Sequence, residues 1–447
     1  MKPTSLGWLG IVRLGLVQSA LGAIVALATS TLNRVMVVEE AMPAIIPAAF
    51  VAWHYVVQLS RPRWGHGSDL GHRRTPWIIG GMGVLAIGAI LATDATVMMS
   101  TSPVAGSLLA LLSFSMIGAG VGASGTSLLA LLATRVAPVR RPAAASITWL
   151  MMIAGIVVCA SVSGALLQPF SAQRLAMVAS GVAGIGFLVT LLAVGGMEGE
   201  AAIAATSEAP APKASFGEVL SEIRADPLAR RFTIFVFVSM LAYSAQELIL
   251  EPFAGLVFNF SPGQSAQLSG LQHGGVLLGM ILVGVAGARF GDKKSLWMRY
   301  WTIAGCIGSA VALAGLAGAS LVGPAWPLAP TVFILGFANG VFAVSAIGSM
   351  MGLAGAGHGS REGARMGVWG AAQAAAFAIG GFLGATGVGA LRGLFHAPGM
   401  AFLIVFVVEA GVFLASALLA SRLDHPARAI ASSATAMAAV EFGVARG

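Results

Sequence analysis

Residues 53–81 read WHYVVQLSRPRWGHGSDLGHRRTPWIIGG: an apolar segment ends, a short basic loop follows and a second apolar segment begins. A related loop, GVAGARFGDK, occupies residues 284–293 in the second half of the chain. Two similar loops at equivalent positions indicate a duplicated unit. The chain is therefore predicted to consist of two halves with the same order of apolar segments.

The first loop resembles the signature loop between the second and third helices of major facilitator transporters, G-x-x-x-D-[RK]-x-G-[RK]-[RK]. The matching residues are Gly65, Asp69, Arg73 and Arg74. Leu70 replaces the first basic residue and Gly71 arrives one position early. The second copy keeps Gly284, Arg289, Gly291 and Lys293, but Ala288 replaces the acid. The resemblance implies an all-α membrane protein with the major facilitator fold, in which twelve transmembrane helices form two six-helix halves.

The composition independently indicates an integral membrane protein. The hydrophobic fraction is 57%, charged residues make up 9%, and the mean hydropathy is +0.89 over 447 residues. The net charge is +8, and all but three of the 25 Lys and Arg residues fall in alternate connections, the linker or the tails; the exceptions are Arg34, Arg174 and Arg392. This is the positive-inside pattern, which explains the basic pI without nucleic acid and predicts cytoplasmic N- and C-termini.

Twelve apolar segments are each about long enough to cross a bilayer. They are predicted near 14–37, 43–60, 76–98, 103–134, 143–168, 172–195, 232–258, 267–288, 296–319, 325–354, 364–390 and 398–420. The segments near 103–134 and 325–354 are rich in glycine, which favours close helix packing over ligand contact.

The boundary between the halves is predicted at residues 196–229. Residues 196–215 are rich in Glu, Ala, Ser and Pro, as in a flexible linker. Apolar residues then recur at i, i+3, i+4 and i+7 from Phe216, which predicts a short amphipathic helix on the cytoplasmic membrane surface. The predicted units are an N-terminal half at 1–195, this linker, a C-terminal half at 230–420 and a cytoplasmic tail at 421–447.

Ionisable residues inside spanning helices are the default functional candidates, because hydrocarbon does not solvate charge. Glu247 and Glu251 are spaced i, i+4 on the seventh helix, and Arg34 lies at a similar height on the first. An outer gate tied by Arg34 to these acids, a carboxylate that titrates during proton-coupled transport, and a static charge pair are all consistent with this intramembrane charge network. Glu409, alone on the twelfth helix, is expected to pack against a polar neighbour.

His54 and His273 each precede their loop glycine by the same number of residues, so the duplication places them at equivalent points near mid-membrane. A neutral imidazole can be an axial ligand for a metal, including the magnesium of a chlorophyll-type macrocycle. The alternative is a hydrogen bond to a neighbouring helix. Both histidines are candidate pigment-binding residues.

Signals of catalysis are missing from the sequence. It contains neither a phosphate loop ending in Gly-Lys-Ser/Thr nor an HExxH motif, and its aspartates are too scattered to hold magnesium and a diphosphate. Cys159 and Cys306 lie in separate apolar segments and are predicted to be small buried residues, without a disulfide or a metal. The sequence thus predicts a protein that is not an enzyme.

Longer strings resemble one branch of the transporter class. They are RLGLVQSALGAI (13–24), STLNRVMVVE (30–39), WHYVVQLSRPRWGHGSD (53–69), RRTPWI (73–78), ELILEPFAG (247–255) and MGVWGAAQAAAF (366–377). They are similar to the PucC/LhaA family, the bacteriochlorophyll-delivery branch of the major facilitator superfamily in photosynthetic bacteria. The resemblance covers nearly all of residues 6–420.

The resemblance implies an assembly factor for light-harvesting complexes that binds bacteriochlorophyll a or hands it to the antenna polypeptides, in the photosynthetic intracytoplasmic membrane and beside bacteriochlorophyll synthase. A proton-coupled transporter of a small solute is the first alternative. A pigment-free scaffold for antenna helices is the second.

Overall fold

A computed structural model describes residues 6–61, 64, 73–137, 140–198, 225, 227–289, 294–355 and 362–422. In these ranges the regular structure is helical, with twelve main helices. Their bounds are α1 Trp8–Glu39, α2 Ile45–Gln58, α3 Thr75–Thr101, α4 Pro103–Arg135, α5 Arg141–Leu166, α6 Ala172–Val194, α7 Pro227–Phe258, α8 Pro262–Arg289, α9 Lys294–Val322, α10 Leu328–Gly355, α11 Glu362–Phe395 and α12 Pro398–Ser421.

Eleven of the described helices are long and apolar enough to cross a membrane. The exception is α2, whose 14 residues span about 21 Å, less than the roughly 30 Å of a hydrocarbon core. The all-α membrane fold is confirmed. The prediction that the segment near 43–60 is long enough to cross a bilayer is wrong for the described residues, because its helix covers only Ile45–Gln58. Which terminus faces the cytoplasm stays a prediction.

The first helix begins at Trp8, earlier than the predicted residue 14. The predicted helix began just after Arg13, because a charged side chain rarely lies inside a spanning helix. In the structure the Arg13 guanidinium donates to the carbonyls of Ala193 at 2.8 Å and Gly195 at 2.5 Å, at the carboxyl end of α6. These carbonyls have no partner within their own helix, so Arg13 satisfies them while α1 continues past it.

The helix contacts repeat between the two halves. In the N-terminal half α1 packs on α5 and α6, α3 on α4 and α6, and α2 on α4. In the C-terminal half α7 packs on α11 and α12, α9 on α10 and α12, and α8 on α10. Each contact recurs when six is added to both helix numbers. The halves meet through α2 with α11 and α5 with α8, which are themselves related by the same shift.

Glycines set the closest helix contacts, as the Gly-rich segments predicted. A Cβ built on Gly336 or Gly340 of α10 would lie 1.9 or 2.1 Å from the carbonyl oxygen of Gln272 or Val276 of α8. On α4, a Cβ at Gly118 would lie 2.5 Å from the carbonyl oxygen of His54. Helices in lipid gain their association energy from such close packing, so these glycines are structural.

The two sides of the bundle differ in charge. The side with the α2–α3 and α4–α5 connections carries Arg61, Arg73, Arg74, Arg135 and Arg140, and we call it the basic face. The other side, with the α1–α2, α5–α6 and α7–α8 connections, is called the opposite face. The positive-inside rule predicts that the basic face is cytoplasmic.

On the basic face, Glu198 tethers α3. Its carboxylate accepts backbone N–H bonds from Arg74 at 2.9 Å and Thr75 at 2.8 Å, at the start of α3. The first N–H groups of a helix have no partner within the helix, so this carboxylate caps α3. The Arg74 guanidinium also donates to the carbonyl of Ala130 on α4. Arg74 and Glu198 therefore connect α3 to α4 and to the end of α6.

Several sequence predictions fall outside the described residues. These are most of the 196–229 linker with its amphipathic helix, most of the 421–447 tail, and four residues of the two loops: Gly65, Asp69, Gly291 and Lys293. Arg73 is exposed at the start of α3, and Gly284 and Arg289 lie in the last turns of α8.

Candidate functional site

A small central cavity lies where the two halves meet. Its lining residues come from α1, α2, α7 and α11: Thr29, Ser30, Val51, Tyr55, Ser244, Glu247, Leu248, Phe377 and Gly381. The space free of protein atoms is about 310 Å³, including the part open to the outside. Ligand pockets enclose about 300 to 1,000 Å³. Because the 310 Å³ includes open space, the volume that the cavity itself encloses lies well below that range.

Glu247 and His273 come together beside this cavity. The Glu247 carboxylate lies 3.8 Å from Nε2 of His273 on α8, and the Tyr243 side chain is close to it, one turn earlier on α7. The distance to His273 exceeds that of a direct hydrogen bond, and the contact is an ion pair when the imidazole is protonated. The sequence nominated Glu247 and His273 for separate roles, and the structure places them in one cluster.

Aromatic side chains from both halves form the cavity wall. The Phe377 ring on α11 has its centroid 5.5 Å from that of Tyr55 on α2 and 5.8 Å from that of Tyr243. Both distances are typical of interacting aromatic pairs. The wall crosses from the N-terminal half to the C-terminal half, so separating the halves would break it.

Arg34 connects the halves near the opposite face. The side chain is 1% exposed. Its guanidinium donates to Glu39 Oε1 at 2.5 Å, to the Phe260 carbonyl at 2.5 Å, and to Ser265 Oγ at 3.4 Å. Phe260 and Ser265 belong to the α7–α8 connection and the first turn of α8. Arg34 thus joins α1 to the C-terminal half.

The acid partner of Arg34 differs from the sequence expectation. Within the described residues its ion-pair partner is Glu39, five residues along α1, whereas Glu251 accepts a hydrogen bond from Ser30 Oγ at 2.6 Å. Asn33 Nδ2 adds a 2.8 Å bond to the Leu248 carbonyl. Ser30, Asn33 and Arg34 are spaced i, i+3, i+4, which puts them on one face of α1. We call their contacts with the C-terminal half the α1 latch.

Two π-helical stretches, Leu27–Thr31 and Val35–Glu39, flank the centre of the latch. A π-turn carries an extra residue per hydrogen-bonded ring and frequently occurs at functional sites. The sequence of α1 contains no proline or similar signal from which these turns could be predicted.

His54 is enclosed. It is 0% exposed, its Nδ1 lies 2.6 Å from the Val51 carbonyl, and its Nε2 has no hydrogen-bond partner in the described structure. The backbone of α4 at Gly118 presses on the same turn of α2. His273 Nδ1 lies 2.9 Å from the Ser269 carbonyl, four residues earlier in the helix, whereas the partner of His54 is three residues earlier. Both histidines therefore contact a carbonyl of their own helix, but the carbonyls are not equivalent and the two Nε2 atoms have different surroundings.

A bacteriochlorophyll does not fit at either histidine in this conformation. A macrocycle needs an open approach to Nε2, but that of His54 is sealed and that of His273 faces Glu247. The central cavity is also too small to enclose a tetrapyrrole with a long hydrocarbon tail. Axial ligation stays a prediction for a conformation in which α2 and α4, or α7 and α8, have separated.

The expectation for Glu409 is wrong. It is 4% exposed near the middle of α12, and in the described structure neither carboxyl oxygen has a hydrogen-bond partner. The sequence suggested a polar neighbour because a buried carboxyl normally has one. Cys159 and Cys306 are buried free thiols, as predicted. Within the described ranges, no group of three or more His, Cys, Asp or Glu residues is placed to hold a metal ion.

Several site residues escaped the sequence analysis. Tyr55, Tyr243 and Phe377 look like ordinary apolar helix residues, and only the packing of two halves brings them together. Glu39 is at the end of a spanning segment, where a charged side chain is usually exposed to solvent. A signal was available in Asn33 and Ser30, polar residues at helical spacing from Arg34, which could have indicated the α1 face that contacts α7.

Relatives of known sequence cover most of the chain. The model of the PUCC protein family matches residues 31–427. The "Bacteriochlorophyll synthase 44.5 kDa chain" of Rhodobacter capsulatus is 49% identical, with 93% of this chain and 96% of that protein aligned. "Protein PucC" of Cereibacter sphaeroides is 29% identical, with 90% and 89% aligned.

Solved transporters share the architecture at low sequence identity. The nucleoside transporter NupG superposes with a TM-score of 0.62 at 15% identity, covering 93% of this chain and 98% of that one. A peptide transporter of the POT type superposes with a TM-score of 0.65 at 15% identity, covering 93% and 95%. These likenesses show the major facilitator fold alone. The family match and the 49% identical relative together show that this chain belongs to the PUCC protein family.

Proposed function

We propose that this protein is an assembly factor for photosynthetic light-harvesting complexes, which binds bacteriochlorophyll a or delivers it to antenna polypeptides. The proposal rests on one observation, the match to the PUCC family over residues 31–427, whose relatives include proteins named PucC and a chain named for bacteriochlorophyll synthase. Its place is the bacterial inner, intracytoplasmic photosynthetic membrane, with the basic face and both termini in the cytoplasm.

We further propose that the protein itself is not an enzyme, although one relative is named as a synthase chain. The transporter fold and the lack of a diphosphate or metal motif in the sequence support a chain that works beside the synthase and accepts its product. The small, latched interior supports pigment handling along lipid-facing surfaces, where a long hydrocarbon tail stays in contact with lipid.

A proton-coupled transporter of a small solute is the second candidate, because of a specific observation. Glu247 and His273 place a carboxylate next to an imidazole beside the central cavity, and the α1 latch joins the two halves near the opposite face. A cavity of this size suits a small solute better than a pigment. A pigment-free scaffold for antenna helices predicts neither pigment nor solute.

The first test is the absorption spectrum and pigment extract of the protein purified in mild detergent from a pigment-producing host. We expect bacteriochlorophyll at a constant ratio to protein. His54→Ala should retain it, because the ring is sealed, provided that thermal unfolding shows the variant to be folded. His273→Ala serves as the matched change at the equivalent position of the other half.

The outcomes separate the candidates. Loss of pigment in one folded histidine variant would show that its ring reaches the macrocycle in another conformation. Antenna polypeptides that co-purify without pigment would favour the scaffold. If neither pigment nor antenna co-purifies, the proposal is wrong and the solute transporter takes its place.

A further inference from the structure

Arg392 is the third arginine near the opposite face, and its surroundings differ from those of the other two. Arg34 and Arg174 donate to backbone carbonyls, those of Phe260 and Gln168 respectively. Arg392 lies in the last turn of α11 and is half-buried, and within the described residues its side chain makes no hydrogen bond or ion pair. A guanidinium carries five N–H donors, so Arg392 has donors available to a ligand.

Arg392 lines a second cavity, which lies between α1, α7, α11 and α12 and which we call the opposite-face cavity. Its space free of protein atoms is about 260 Å³, including the part open to the outside. Its walls are mostly apolar, and they include Val37, Leu256, Val388 and Phe402. Pockets that enclose a whole drug-sized ligand are larger. The cavity can therefore take one end of a molecule while the rest of that molecule stays outside.

Asn33 also lines this cavity, and Pro252 fixes the orientation of its amide. A proline has no N–H, so Pro252 leaves the Leu248 carbonyl, one turn earlier on α7, without its helical donor. Asn33 Nδ2 donates to that carbonyl at 2.8 Å, and the amide cannot be turned over without losing this bond. Oδ1 is therefore its remaining acceptor. Asn33 is 2% exposed, and Oδ1 has no donor within the described residues. A buried acceptor without a donor is destabilising, which indicates that a ligand supplies one.

The two polar groups lie at different depths. Arg392 is three residues from the end of α11, about 5 Å inside the opposite face, and Asn33 is six residues from the end of α1, about 9 Å inside. A ligand that satisfies both needs an anion toward the surface and an O–H or N–H donor further in. The depth of Arg392, close to the membrane boundary, suits a phosphate, which a guanidinium binds through two parallel hydrogen bonds.

We propose that the opposite-face cavity binds a phosphate ester with a free hydroxyl group, whose phosphate pairs with Arg392 and whose hydroxyl donates to Asn33 Oδ1. The apolar walls favour a lipid whose headgroup enters the cavity while its acyl chains stay outside. A water-soluble phosphate ester presents the same polar groups without the chains. The inference does not depend on whether the protein carries pigment.

The test titrates the full-length protein in mild detergent with phosphatidylglycerol and measures the affinity for the first bound lipid by native mass spectrometry. Arg392→Met should weaken that affinity at least about tenfold, as expected for a lost hydrogen bond to a charged group. Arg392→Lys should recover part of it, because the charge remains. Phosphatidylethanol has the same charge without the hydroxyl, so it should bind about fivefold more weakly than phosphatidylglycerol. This comparison tests the contact with Asn33 without a substitution in the α1 latch.

Cysteine protection localises the binding and identifies the source of the ligand. Leu256→Cys lines the cavity, in a background without Cys159 and Cys306, and phosphatidylglycerol should slow its reaction with a water-soluble methanethiosulfonate. Thr101→Cys, exposed at the opposite-face end of α3, should react at an unchanged rate. Protection by glycerol 3-phosphate alone, lost in Arg392→Met, would support the same polar contacts with a ligand from the aqueous phase.

Two controls make a negative result informative. Arg174→Met removes another arginine near the opposite face and should leave the affinity for phosphatidylglycerol unchanged. Arg392→Met should unfold at the wild-type temperature, because the Arg392 side chain has no partner within the described residues. Equal affinity of the wild type and Arg392→Met for phosphatidylglycerol, without protection of Leu256→Cys by either phosphate ester, would overturn the proposal. Equal binding of phosphatidylglycerol and phosphatidylethanol would overturn the hydroxyl contact with Asn33.

Discussion

Gly336→Ala should reduce the yield of folded protein sharply. The new methyl carbon would lie 1.9 Å from the carbonyl oxygen of Gln272, a backbone atom that cannot move without displacing α8 from α10. Overpacking of a well-filled core usually costs about 1–3 kcal/mol, and a clash with backbone belongs at or above the top of that range. We expect little folded protein by size-exclusion chromatography in mild detergent, and a lower unfolding temperature for what remains.

Gly274→Ala is the matched control for this prediction. Gly274 lies on α8 two residues after Gln272, and a Cβ there would have nothing within 4 Å. Alanine in a helix interior is favoured over glycine by about 1 kcal/mol, so this variant should be as stable as the wild type or more so. If Gly336→Ala and Gly274→Ala gave equal yields, the close contact of α8 with α10 would be contradicted.

Arg34→Met should open the contact between the halves at the opposite face. Methionine fills similar space but cannot donate to the Phe260 carbonyl, and it leaves Glu39 without its cation. Hydrogen bonds of charged groups contribute about 1.5–3 kcal/mol each, and part of this loss is recovered because Glu39, one-third exposed, can be hydrated. We expect a net destabilisation of about 2–3 kcal/mol.

Cysteine labelling reports this opening directly. Ser265 is fully buried in the closed state, so Ser265→Cys, without the two native cysteines, should react slowly with a maleimide. Adding Arg34→Met should accelerate that reaction. Arg174→Met is the control, because Arg174 donates to Gln168 on its own side of the bundle and joins no helix of the other half. Equal labelling rates in all three backgrounds would show that Arg34 does not hold the face closed.

The sequence predicted the bundle well because hydropathy and charge act segment by segment. Twelve apolar runs, alternating basic connections and a repeated loop were enough to predict the helices and the two related halves. The predicted start of the first helix was wrong, because a charged side chain there has a partner far away in the sequence. Arg13 binds carbonyls about 180 residues away, and no local pattern announces such a contact.

The candidate site was predicted in some of its members and in none of its pairings. Arg34, Glu247 and Glu251 do lie between the halves and His273 lies beside Glu247, because intramembrane polar residues are rare and usually point inward. The aromatic residues of the cavity and Glu39 were missed. Which acid meets Arg34 depends on side-chain reach in three dimensions, and Glu39 lies closer than Glu251.

Transfer of pigment tests the proposed function most directly. The purified protein is loaded with bacteriochlorophyll a in a lipid nanodisc and mixed with nanodiscs that contain a pigment-free antenna polypeptide, and the shift of the near-infrared absorption band is followed with time. The proposed delivery role predicts faster transfer to the polypeptide than from nanodiscs holding pigment alone. An identical rate with and without the protein would contradict it.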